Sequence, residues 1–170
     1  MPISTKIFTR LGIVILVLVL CTGCDQVTKK IAQNTLASAA PISLLGGVVR
    51  IQYAENSGGM LSLGAGLPSE ARFLLFVVLV SIILPLTVVF ALRANSINLW
   101  QLSGLSMTAA GGLGNLLDRL FNQGMVIDFV SFGIGPLRTG IMNLADIAIV
   151  SGIVLFALAG TQEKPPSAPE

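Results

Sequence analysis

Histidine is absent from all 170 residues of this chain. That absence removes Ser-His-Asp and Cys-His triads and most zinc or haem sites. There is no H-E-x-x-H, and aspartates alone make a poor zinc site, so no metal or organic cofactor is expected. Two cysteines, Cys21 and Cys24, are too few for a disulfide framework. The net charge of +2 is too small to suggest a nucleic-acid partner. Charged residues make up 11% of the chain, against about 25% in ordinary soluble domains. Hydrophobic residues make up 54%. A soluble protein this small could not hide that much apolar surface, so lipid is the solvent for much of it.

Four apolar stretches stand out, at about residues 8–28, 73–92, 97–117 and 139–160. The second is uncharged over its whole length and, as a helix, would span about 30 Å, the thickness of a hydrocarbon core. Pro85 inside it is tolerable as a kink in a membrane helix. The third is rich in small residues, Gly104, Ala109, Gly111 and Gly114 among them, which let helices approach closely. The segment 31–70 differs in character. Val48-Val49-Arg50-Ile51-Gln52-Tyr53 is β-prone and flanked by glycine and proline. The expected fold is therefore a mainly α membrane protein. It has four transmembrane helices, with a small extramembrane β-rich cradle between the first and second. Residues 1–162 form a single membrane domain, and the polar, proline-containing tail 163–170 is expected to be disordered.

A plain count of basic residues opposes a cytoplasmic N-terminus, with Lys6, Arg10, Arg93 and Lys164 inside and the other six outside. Lys29, Arg119 and Arg138, however, neighbour acidic segments and can be paired rather than free to set topology. Lys6 and Arg10 directly precede the first span, so both termini are placed in the cytoplasm.

The chain contains an internal echo. Asn115-Leu116-Leu117-Asp118 closes the third stretch, and Asn143-Leu144-Ala145-Asp146 opens the fourth. Consecutive spans run antiparallel, so both tetrads fall at the same membrane face. Within each, Asn and Asp lie three apart, on one side of a helix. Asp128 sits between them, and Arg119 adjoins Asp118. Placing an Asp in lipid costs about 2.5–3.5 kcal/mol even on permissive scales. Aspartates at this depth should face one another or a watery cleft. Two neighbouring carboxylates share one proton, so the ionised member can deprotonate water while the other protonates a carbonyl. Singly, each Asn or Asp would be read as a helix cap or an ion-pair partner. Together they favour a functional site, although spacing leaves open which two of the three aspartates pair.

Gly111-Gly112-Leu113-Gly114-Asn115-Leu116-Leu117-Asp118-Arg119, Val126-Ile127-Asp128-Phe129 and Asn143-Leu144-Ala145-Asp146 closely resemble the signature of bacterial lipoprotein signal peptidases (signal peptidase II). Asp25-Gln26-Val27-Thr28-Lys29 resembles that family's motif at the outer end of the first helix. Asn56-Ser57-Gly58 resembles its Asn-x-Gly turn, with Gly58 a candidate for positive φ. The resemblance covers about residues 8–160 and implies an intramembrane aspartic endopeptidase with Asp128 and Asp146 as the catalytic pair. It implies that Asp25, Lys29, Asn56, Gly58, Asn115, Arg119 and Asn143 line the cleft or orient the pair, with Asp118 in support. The implied substrate is a prolipoprotein carrying diacylglycerol on its cysteine, cleaved just before that cysteine at the outer face of the inner membrane. Membrane lipids are the other expected partners, and the chain is expected to act as a monomer. Gly59-Met60-Leu61, Met142 and the glycine-rich 131–138 segment depart from the family pattern.

Two rivals are weaker. Cys21-Thr22-Gly23-Cys24 resembles a lipobox, which would make the protein a lipoprotein itself, but three further apolar stretches argue against a single-anchor protein. A transporter or assembly factor using the aspartates for protons or cations would place them near the midplane on broken helices. Here they gather at one interface.

Overall fold

The computed structural model describes residues 3–161, so the expected tail at 163–170 lies outside the described residues. The long helices are α1 (Ile3–Leu36), α2 (Ser69–Arg93), α3 (Leu99–Phe121) and α4 (Leu144–Gly160). Of these, α1 and α2 are long and apolar enough to cross a membrane. Leu16, Val19, Ile82 and Leu86 stand exposed along them, the reverse of a helix built for water. Pro85 lies within α2, and a widened π turn at Leu74–Leu79 precedes it. The 17 residues of α4 reach about 25 Å as a helix, a little short of a hydrocarbon core.

Glycine brings α3 and α4 together. A Cβ on Gly104 would sit 2.6 Å from the Gly152 carbonyl oxygen, and one on Gly111 would collide with that of Ala145. The small residues of α3 thus allow backbone-to-backbone contact. Asn98 caps α3 in a reciprocal box with Gln101 and donates to the Ala159 carbonyl at 3.2 Å. The start of α3 is thereby tied to the end of α4, which leaves Asn115 and Asn143 at the same opposite end. At the other end of α1, buried Arg10 donates to the Ala91 carbonyl at 2.8 Å and the Ala94 carbonyl at 2.9 Å. It caps the C-terminus of α2, where a cation complements the helix dipole.

An antiparallel sheet runs in the order β1 (Ile42–Leu44), β2 (Val49–Asn56), β3 (Val126–Ile134), β4 (Leu137–Arg138). This corrects the expected cradle. Residues 31–36 continue α1, and half of the sheet comes from the connection between α3 and α4. Within its own connection the segment 49–56 pairs only with the three-residue β1, and an open second edge would leave its amides unsatisfied. The alternating Val126–Phe132 run supplies the partner, with Ile51 opposite Val130 and Ala54 opposite Asp128 across a bulge. The glycine-rich 131–138 segment forms the end of β3 and the short hairpin to β4.

Candidate functional site

Lys29 is the hub on the α1 side of the site. It is 2% exposed, and its Nζ meets Asp25 Oδ2 at 2.8 Å, Asp118 Oδ2 at 2.9 Å and Asn115 Oδ1 at 3.0 Å. An ammonium has three donors, and three acceptors meet them. Both acids are then shared with other elements. Asp25 Oδ1 accepts from the Ala145 amide of α4 at 2.8 Å, and Asp118 Oδ2 accepts from the Ile127 amide of β3 at 3.0 Å. One buried cation thus joins α1, α3, α4 and the sheet.

Asp128 and Asp146 lie on the other side of Asn115 and Asn143. Asp128 Oδ1 accepts from Asn143 Nδ2 at 2.7 Å, and its Oδ2 accepts from Asn56 Nδ2 at 3.0 Å. Asp146 Oδ1 accepts from Asn115 Nδ2 at 2.9 Å, and Asn143 Nδ2 also donates to Asn115 Oδ1 at 3.1 Å. The two acids therefore hang on one chain of amide side chains. Both are buried, and neither forms an ion pair among the described residues. Burial pushes the Asp128 carboxyl up to about 6, and the nearby Asp146 charge acts in the same direction; the hydrogen bonds from Asn56 and Asn143 oppose them. A carboxyl that holds its proton near neutrality, beside a second carboxyl, can divide acid and base roles with it.

The bland reading of these groups is also realised in part. Asn143 and Asp146 form a capping box at the start of α4. The Asp118–Arg119 pair does not form: Asp118 goes to Lys29, and Arg119 Nη2 donates to the Gly58 carbonyl at 2.6 Å. The two Asn-Asp tetrads are consequently unequal. The Asn and Asp of the first divide between the carboxylate pair and the Lys29 hub, whereas the Asn and Asp of the second both sit at the pair.

The turn after β2 is held by side chain and backbone together. Asn56 Oδ1 accepts from the Gly58 amide at 2.9 Å, and Asn56 Nδ2 donates to the Gly59 carbonyl at 3.0 Å. Gly58 is not in a positive-φ conformation, contrary to the sequence expectation. Space is the constraint instead: a Cβ there would lie 2.6 Å from the Leu63 carbonyl oxygen and 2.9 Å from the Ala65 amide. Gly58→Val should therefore displace the turn and the Arg119 contact. For the peptidase activity that the resemblance implies, Asn56→Ala should lower cleavage about ten- to hundred-fold while the protein stays folded, since it removes a hydrogen bond to a buried acid. A fully active Asn56→Ala protein would take this residue out of the site.

Asp25, Lys29, Asn56, Asn115, Asp118, Asp128, Asn143 and Asp146 are all buried, and the fold gathers them at one end of the helices. Arg119 joins them through the Asn115 carbonyl at 3.1 Å. Gln26 belongs with them and was passed over in the sequence. Its Nε2 donates to Asp118 Oδ1 at 2.9 Å and to the Gly114 carbonyl at 3.1 Å. The signal was its place between Asp25 and Lys29, but a neutral amide in an apolar helix carries no charge to draw attention. Cys21 and Cys24 are free thiols on unbroken α1, and Thr22 between them donates to the Ala110 carbonyl at 3.0 Å.

The chain is similar to known proteins in both sequence and fold. Over 132 residues the chain is 35% identical to a lipoprotein signal peptidase of Caldicellulosiruptor bescii, covering 78% of this chain and 79% of that protein. With the lipoprotein signal peptidase of Desulforapulum autotrophicum it shares 31% identity over 153 residues, 90% of this chain and 92% of the relative. A solved bacterial membrane enzyme, determined by the in meso method at 2.3 Å resolution, superposes with a TM-score of 0.77 at 28% identity. That superposition covers 94% of this chain and 95% of the other. Residues 15–161 match the family described as Signal peptidase (SPase) II, a stretch that contains every acid and amide of the buried network. The chain belongs to the signal peptidase II family.

Proposed function

We propose that this protein is an intramembrane aspartic endopeptidase that removes signal peptides from diacylglyceryl-modified prolipoproteins, cleaving before the lipidated cysteine. The observation that carries this reading is the pairing of Asp128 and Asp146 through Asn143 and Asn115, apart from Asp118 and in no ion pair among the described residues. The ionised carboxylate takes a proton from water as the water oxygen attacks the scissile carbonyl carbon. The protonated carboxylate gives its proton to the carbonyl oxygen. Collapse of the tetrahedral intermediate breaks the C–N bond: the proton taken from water passes to the leaving amine, and a hydroxyl of the intermediate returns its proton to the second carboxylate, which restores the starting pair. Asn56, Asn115 and Asn143 orient the pair, and Arg119 holds the adjoining turn. Incubating the purified protein in detergent with a lipidated prolipoprotein should release the signal peptide. Unlipidated precursor should remain intact, and absence of any cleavage would remove the reading.

In this proposal all four long helices cross the membrane as one monomeric domain of the bacterial inner membrane. Both termini are cytoplasmic, and the sheet with the carboxylate pair lies at the outer face. Pairing of Lys29 with Asp25 and Asp118 supports discounting this outside cation in the charge count. A reporter active only outside the cytoplasm should be silent when fused after Lys164 and active when fused within residues 31–70. The opposite pattern reverses the orientation.

A further inference from the structure

The sheet ends in an apolar tip that the carboxylate site does not use. Leu45 lies between β1 and β2, and Ile134 and Leu137 flank the turn between β3 and β4. These three residues are 77%, 77% and 82% exposed. The two turns are fastened side by side. The Gly133 amide donates to the Val48 carbonyl at 2.9 Å, and Arg138 Nη1 donates to the Gly47 carbonyl at 2.7 Å. Leu45 has a φ of 51°, a left-handed conformation that suits glycine better than leucine. Turn geometry therefore does not account for the leucine.

Single exposed apolar residues are ordinary, but a group of them at one place marks a surface that something covers. Two observations point to the cover. Ile42 and Leu44 of β1 are also exposed, so the apolar surface runs back along the edge of the sheet toward the end of the membrane-length α1. Arg50 and Arg138 are the charged residues of segments 37–54 and 129–145, with no acid in either. Neither forms an ion pair among the described residues. Apolar side chains beside basic ones suit the interface of an anionic bilayer. We propose that the paired tips dip into the membrane interface, with Leu45, Ile134 and Leu137 among the upper acyl chains. The free edge of β1 then lies at head-group level, where water still reaches its amides. Lipid as well as the helices would hold the strand that carries Asp128 at a fixed depth.

Trp100 is the chain's one tryptophan, so a Trp100→Phe background lets a single reporter be placed as Leu45→Trp, Ile134→Trp or Leu137→Trp. Each full-length variant is put into nanodiscs of phosphatidylcholine and phosphatidylglycerol, one copy per disc, with bromine at known depths on the acyl chains. Insertion by about 5–10 Å means that lipid brominated near the head group should quench the reporters more than lipid brominated near the chain ends. Aqueous iodide should quench them little. Adding Leu45→Asp and Leu137→Asp to the Ile134→Trp chain should remove most of the lipid quenching and open the reporter to iodide. Should one reporter fold poorly, the other two carry the measurement. Quenching by iodide with no response to brominated lipid overturns the proposal. So does shielding from both quenchers, which would mean that protein covers the tip, or lipid quenching that survives the two aspartates. Contact with lipid is read directly, so the result does not depend on cleavage or on which face of the membrane the sheet occupies.

Discussion

Asp128→Asn and Asp146→Asn should each remove nearly all turnover of a lipidated prolipoprotein while leaving the protein folded. Asparagine keeps the size of the side chain but can neither accept nor release a proton at neutral pH. General acid–base catalysis contributes about 10²–10⁴-fold, and misalignment of the attacking water adds to the loss. Because the two acids work as a unit, the double variant should be scarcely slower than either single one. Single-turnover cleavage, with thermal melting in detergent as the folding control, is the measurement. Normal cleavage by both single variants would remove the aspartic mechanism. A dead, well-folded Asp118→Asn beside an active Asp128→Asn would instead reassign the partner of Asp146.

The raised position of Asp128, about 6, adds a pH dependence with a definite sign. Its proton is held more tightly in the folded protein than in the unfolded chain. Its contribution to stability is therefore fully present below the unfolded carboxylate range and lost as pH rises through about 6. A shared proton is also what the proposed mechanism needs. The alkaline limb of kcat/KM should begin to fall near pH 6 and should report the pair rather than one residue. An Asp128→Asn protein should lose this part of the pH dependence of melting.

Lys29→Met should be the most destabilising single change in the site. It leaves Asp25 and Asp118 buried and facing each other across the space that Lys29 Nζ had filled at 2.8 and 2.9 Å. Removing one member of a buried ionic group costs about 3–5 kcal/mol, mostly because the remaining charge is stranded. Asp118→Asn should cost less, since Lys29 and Asp25 remain as a neutral pair. Adding Asp25→Asn and Asp118→Asn to Lys29→Met should recover part of the lost stability, for the stranded charge is then gone. Chemical denaturation or thermal melting in detergent reads these differences. A Lys29→Met protein as stable as the parent would show that the hub does not hold the helices together.

The apolar stretches were legible because lipid and helix geometry impose a length and a composition on them, and both are local properties. The boundaries were less so. α1 continues to Leu36 through Lys30, Gln33 and Asn34, polar residues that resemble the start of a loop but are as content in a helix that has left the apolar layer. The sheet was half visible, since a strand reveals its own alternation but not its partner. Val126–Ile134 pairs with Val49–Asn56 across 70 to 83 residues, and register of that kind belongs to the folded chain.

By itself the sequence determined that lipid is the solvent, that no histidine is at hand, and that acids and amides gather at one end of adjacent helices. Spacing of three within a helix and the antiparallel run of neighbouring helices are sufficient for that much. Only the tertiary structure separated the three aspartates. Asp118 turns toward α1 because Lys29, distant in sequence, supplies a buried cation there. Asp128 and Asp146 are left to the amides of Asn56, Asn115 and Asn143, and neither forms an ion pair among the described residues. The three carboxylates are chemically alike, and what each one faces sets its proton affinity; that is a property of distances between elements, which linear spacing does not contain.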